Sequence, residues 1–94
     1  MFVITSTDLK PKEIVEKFFL EHREYLDVYY KQGIFLAFGR VSSGDGGVIL
    51  ATGKKKDEIE KILEEDPFTR EGISRYKVIE FSPIKVAEGL EKLK

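Results

Sequence analysis

The chain has no cysteine, tryptophan or asparagine, and only one histidine and one glutamine among its 94 residues. Without cysteine there is no disulfide framework, no thiol nucleophile and no thiolate zinc site, and one histidine does not build a histidine-rich metal centre. No metal or other cofactor is therefore expected. Long apolar runs are also missing: nothing approaches the roughly 20 residues that cross a bilayer. The N-terminus lacks a basic stretch followed by an apolar segment and a small-residue cleavage site, so the expected location is the cytoplasm. An excess of one charge is absent as well. Sixteen basic residues face seventeen acidic ones, for a net charge of -1. That balance argues against a nucleic-acid footprint and against a basic membrane-surface patch.

What is present is enough for a packed core. Apolar types make up 41% and aromatic types 12%, well above a disordered composition. The length suits one domain over residues 1–94, because two cores would each fall near the lower limit for independent folding. Charged residues reach 35%, mostly Lys and Glu, against a usual value of about 25%. That is the profile of a thermophile protein, and it predicts a melting midpoint above the ordinary range of roughly 45 to 65 °C.

The β-branched and aromatic segment Phe2 to Ser6 predicts a first strand, closed by Asp8 and Pro11. From about Lys12 to Lys31, Ile14, Val15, Phe18, Phe19, Tyr25, Leu26, Tyr29 and Tyr30 recur at helical spacing, which predicts one long helix ending at Gly33. Ile34 to Val41 and Gly47 to Thr52 read as strands joined by Ser42 to Gly46. A second helix is expected from Lys55 to Glu65, with Ile59, Ile62 and Leu63 inward. Arg75 to Ile84 reads as the last strand, restricted by Pro83 to an edge or an end. A short tail around Val86 to Leu93 has helical character.

The order βαββαβ predicts an α+β, ferredoxin-like domain: a four-stranded antiparallel sheet with helices on one face. The opposite face then needs a cover. Ile34, Leu36 and Phe38 alternate against Phe35 and Ala37, and Val48 and Leu50 against Ile49, so both faces of the sheet carry apolar side chains. Bare, such a face is roughly 300 Å² in projection, near the top of what monomers expose. The expectation is a homodimer whose open faces pack together as a barrel-like sandwich. The C-terminal tail is the other available cover, but Ala87-Glu88-Gly89 interrupts it.

His22 lies four residues after Phe18 and three before Tyr25, inside the apolar stripe and away from Lys17, Glu24 and Lys31. Two readings apply to it: a core histidine satisfied by backbone groups, or a positioned acid or base, since imidazole titrates nearest neutrality. The segment Asp66 to Gly72 has the punctuation of a one-turn helix, with Asp66 as N-cap and Pro67 first. Glu64, Glu65 and Asp66 nevertheless gather negative charge where a helix C-terminus disfavours it. A hydrogen bond from an imidazole or a ligand to Asp66 would offset that cost.

These residues resemble the YciI-like (YCII-related) family over nearly the whole chain. The likeness rests on the helix histidine His22, on Gly39 after the strand Ile34-Phe35-Leu36-Ala37-Phe38, on the glycine-bearing loop that follows, and on Asp66-Pro67-Phe68 with Gly72. It implies a dimeric α/β barrel of ferredoxin-like strand order. It further implies a small, cofactor-independent enzyme of lyase or hydrolase type, in which His22 and Asp66 form a catalytic pair acting on a small molecule. Tyr25, Gly39, Arg40 and Phe68 are the candidate substrate-binding positions. Arg40 departs from the proline that many relatives carry after the glycine. A non-catalytic dimeric module that binds a small ligand or a partner protein is the alternative.

Other chemical signatures are incomplete. A phosphate loop would need glycine where Val48 stands and Ser or Thr where Lys55 stands. The run Lys54 to Lys56 reads as a solvated helix start. Gly47 to Thr52 lacks the basic and aromatic positions of an RNA-recognition strand. No Gly-x-Ser-x-Gly elbow supports a serine triad.

Overall fold

The computed structural model describes residues 1–93. Its elements run β1 (Phe2–Asp8), α1 (Lys12–Lys17), α2 (Phe19–Lys31), β2 (Phe35–Arg40), β3 (Gly46–Ala51), α3 (Lys56–Glu64), α4 (Pro67–Arg70), β4 (Ser74–Glu80) and a 3₁₀ turn (Glu91–Leu93). The strands form one antiparallel sheet in the order β2-β3-β1-β4. This is the α+β, ferredoxin-like arrangement expected from the element order, with the helices on one face.

Pairing sets which residues meet the helices. Phe2 and Ile4 of β1 face them beside Ala51 and Ile49 of β3 and Val78 of β4. Together with Leu26, Ile34, Phe35, Ile59 and Leu63 they form the main core. A smaller core of Val15, Phe68 and Ile73 lies beside it, flanked by Ile14, Phe18 and Phe19.

This division explains the first departure from expectation. The single helix from Lys12 to Lys31 is broken at Phe18, whose φ of -107° and ψ of 3° leave the helical region. Its N–H turns to the carbonyl of Val15 at 3.1 Å, an i to i−3 bond. The break lets α1 serve the small core and α2 the main one. Tyr30 consequently falls outside the buried stripe and is exposed.

The second departure lies in β2. A bulge between Phe35 and Ala37 shifts the register, so Phe35 and Phe38 both pack on the helix side, and the simple alternation predicted for this strand fails. β4 also stops at Glu80, short of Ile84, because its neighbour β1 begins at Phe2, opposite Glu80. The last ties are between Met1 and Phe81. The tail turns at Glu88-Gly89, where the Leu90 N–H reaches the Ala87 carbonyl, and again at Glu91–Leu93, and it leaves Ile84 83% and Leu90 45% exposed.

The sheet face away from the helices carries Val3, Thr5 and Thr7 from β1, Val48 and Leu50 from β3, and Arg75, Lys77 and Ile79 from β4. It is apolar at one end and charged at the other, less uniformly greasy than β2 and β3 alone suggest. In the hairpin, glycine is required at position 46: a Cβ there would sit 2.0 Å from the Ser6 carbonyl oxygen. This brings β3 close enough for the Gly47 N–H to reach Ser6 Oγ at 2.9 Å.

Candidate active site

α2 carries His22 over the sheet, and the break at Phe18 supplies the carbonyl that accepts the His22 backbone N–H at 3.0 Å. α4 begins at Asp66, whose backbone is extended (φ -62°, ψ 135°) and whose Oδ1 accepts the Phe68 N–H at 2.9 Å, a side-chain N-cap. The same Oδ1 lies 2.9 Å from His22 Nδ1. Oδ2 accepts the Tyr76 hydroxyl at 2.6 Å. The N-cap bond and the imidazole bond therefore coexist on one carboxylate, together with a third from β4. Asp66 is fully buried and the His22 side chain only 13% exposed.

A carboxylate only accepts, so Nδ1 carries the proton and Nε2 is the free nitrogen of the neutral ring. The ring stacks on Phe68 with centroids 3.8 Å apart and planes 2° from parallel. Phe68 therefore fixes the ring from beneath while its N–H fixes the carboxylate. Burial first, and then the charge of Asp66, hold the Tyr76 hydroxyl well above the usual tyrosine range. Tyr76 thus stays a protonated donor at any ordinary pH.

His22 borders a cavity of about 260 Å³ between α2 and the sheet. α2 contributes Phe19, Arg23 and Leu26 to its lining, the strands Ser6, Phe38, Arg40 and Tyr76, with Gly39 and Gly47 among the rest. A Cβ on Gly47 would come within 3.1 Å of the Gly39 carbonyl oxygen and 3.3 Å of Ser6 Oγ. That glycine keeps the wall low.

The other candidate positions divide. Gly39 and Arg40 lie on the cavity wall, but the Arg40 guanidinium pairs with both oxygens of Asp8 and donates to the Gly44 carbonyl at 2.9 Å. Phe68 lies beneath the imidazole, buried. Tyr25 is turned elsewhere: its hydroxyl donates to the Ile62 carbonyl at 2.7 Å and stands 3.4 Å from Tyr29 Oη. Burial and the Tyr29 contact hold that hydroxyl well above its ordinary range too.

Ser6, Phe19, Arg23 and Tyr76 were not singled out from sequence. Ser6 and Tyr76 each place a hydroxyl on the buried side of a strand, where polar groups need partners. Phe19 and Arg23 are four apart on one helix, the spacing of an aromatic–cation contact. These are the signals that could have found them.

Strand order, helix placement and a buried carboxylate–imidazole pair at a cleft define an α+β domain of the ferredoxin-like class. Residues 1–82 match the YCII-related domain, and the chain belongs to that family. Its fold is shared with a solved structure of 5-chloro-2-hydroxyhydroquinone dehydrochlorinase from Burkholderia phenoliruptrix in complex with 2,5-dihydroxybenzoquinone. That match has a TM-score of 0.68 at 18% identity and covers 87% of this chain and 94% of the other. No curated protein matches the chain. Among the described residues no helix is long and apolar enough to cross a membrane.

Proposed function

We propose that this protein is a small-molecule enzyme in which His22 is the general acid/base and Asp66 orients its ring. One observation carries the reading: the 2.9 Å bond from His22 Nδ1 to a fully buried Asp66, on a ring that borders an open cavity. With Nδ1–H held, Nε2 takes a proton from a phenol or activated carbon acid. The imidazolium so formed is stabilised by the Asp66 carboxylate, and the proton then passes to a leaving group or to another atom of the substrate. A step of this kind is worth about 10² to 10⁴ in rate. That a family-fold relative is a dehydrochlorinase of a hydroxylated ring supports a reaction of this class.

The test is hydrogen–deuterium exchange into hydroxylated rings and carbon acids in D₂O, together with turnover of any compound that exchanges. His22→Ala and Asp66→Asn should each lose at least a hundredfold in rate while remaining folded. A folded His22→Ala variant of unchanged rate would overturn the mechanism. The stacking of His22 on Phe68 favours a second, structural role in a non-catalytic binding module. In that case His22→Ala loses stability and leaves ligand binding intact.

We further propose that the active form is a homodimer joined through the open sheet face, where Val3, Leu50 and Ile79 stand uncovered by helices and Ile79 is 45% exposed. Sedimentation at micromolar concentration should show twice 10.8 kDa, and Ile79→Lys should shift it toward monomer. A wild-type monomer would refute the assembly.

A further inference from the structure

The charge of the cleft is out of keeping with the chain as a whole. The protein has more acidic than basic residues, yet the cavity wall includes two arginines and no carboxylate. The two arginines are not equivalent. Arg40 is neutralised by a two-point pair with Asp8. Arg23 has no carboxylate within ion-pair distance among the described residues, and its guanidinium rests over the Phe19 ring, 5.1 Å from the centroid. It follows His22 directly on α2, so an uncompensated cation and the imidazole border the same space. The volume sets the size of the occupant: a cavity of about 150 Å³ holds one benzene, so about 260 Å³ suits a single substituted ring and is small for a dinucleotide. Phe19 and Phe38 add flat apolar walls.

We propose that the cleft selects a single-ring substrate carrying one negative charge, and that Arg23 binds its acidic group; this rests on the acid–base reading of His22. Proton removal from such a substrate adds a second negative charge, and an arginine supplies a fixed positive charge that does not itself titrate. Both guanidinium groups lie over the Phe19 ring, Arg23 at 5.1 Å and Arg40 at 5.3 Å from its centroid, and with Arg40 held by Asp8 it is Arg23 that is left to anchor a ring whose other edge meets Nε2.

Benzoate and benzamide, equal in shape and different in charge, test this by NMR titration at fixed pH, read on the imidazole signal. That signal is unique because the chain has one histidine. Benzoate should move it saturably and bind at least tenfold more tightly than benzamide. Arg23→Gln should remove at least fivefold of the benzoate affinity, with partial recovery in Arg23→Lys, while Lys17→Gln, an equal charge change on exposed α1, leaves it unchanged. Equal binding of the two probes, or equal losses in Arg23→Gln and Lys17→Gln, overturns the charge selection and leaves the acid–base reading standing. An imidazole signal that neither probe moves up to 50 mM overturns the single-ring occupant as well, and the acid–base reading then stands or falls on the exchange rate of His22→Ala alone.

Discussion

Asp66 and Asp8 each hold side chains that line the same cleft. Asp66 is fully buried and gathers His22 from α2, the Phe68 N–H from α4 and Tyr76 from β4. Asp8, at the end of β1, is 11% exposed and gathers Arg40 from β2 and Ser74 from β4. Each carboxylate ties together three elements, Asp66 reaching 44 positions back to His22 and Asp8 reaching 66 positions on to Ser74. Their partners separate them. Guanidinium does not release its proton, so the Asp8 pair acts as a permanent clamp, whereas imidazole exchanges protons near neutrality and can turn the Asp66 pair into chemistry. The same side chain is structural or reactive according to what it faces, and its depth sets how much stability depends on it.

Breaking the deeper centre should cost most. Asp66→Ala strands an imidazole N–H, a buried hydroxyl and a helix-capping N–H at once, and should lower the unfolding free energy by about 3–5 kcal/mol in urea titrations. A loss under about 1 kcal/mol would erase the distinction between the two aspartates. Tyr76→Phe removes one bond to a buried charge and should cost about 1.5–3 kcal/mol.

The same tyrosine predicts a pH dependence. Its hydroxyl is held above the ordinary value of about 10, so the folded chain keeps a proton that the unfolded chain loses. Stability is therefore intact below about pH 10 and falls as pH climbs beyond it, and urea midpoints between pH 8 and 11 should decline less steeply in Tyr76→Phe. A decline as steep as in wild type would place the alkaline loss elsewhere. The smallest effect is expected at the less deeply buried clamp: Asp8→Ala leaves Arg40 and the Ser74 hydroxyl without their carboxylate and should cost about 1–2 kcal/mol, part of which is lost in high salt. A cost equal to that of Asp66→Ala would show that burial is not what separates the pairs.

Much of this was legible in the residues. The 3.6-residue spacing of Leu26 and its neighbours put His22 on the protein-facing side of its helix, and Asp66-Pro67 announced a helix start, because periodicity and capping are short-range chemistry. The break at Phe18 was not legible, since nothing local distinguishes a stripe that serves one core from a stripe that serves two. The bulge at Leu36 and the end of β4 at Glu80 likewise depend on partner strands.

The chain's own order of residues determined the α+β element sequence, the inward histidine and the capped aspartate, because each is written in residues a few positions apart. Only the tertiary structure decided that Tyr76 would complete the Asp66 centre, that Arg40 would be spent on Asp8 and that Arg23 would be left facing the cavity. The first two join residues 10 and 32 positions apart, and such meetings are set by strand register and packing, which no local pattern encodes.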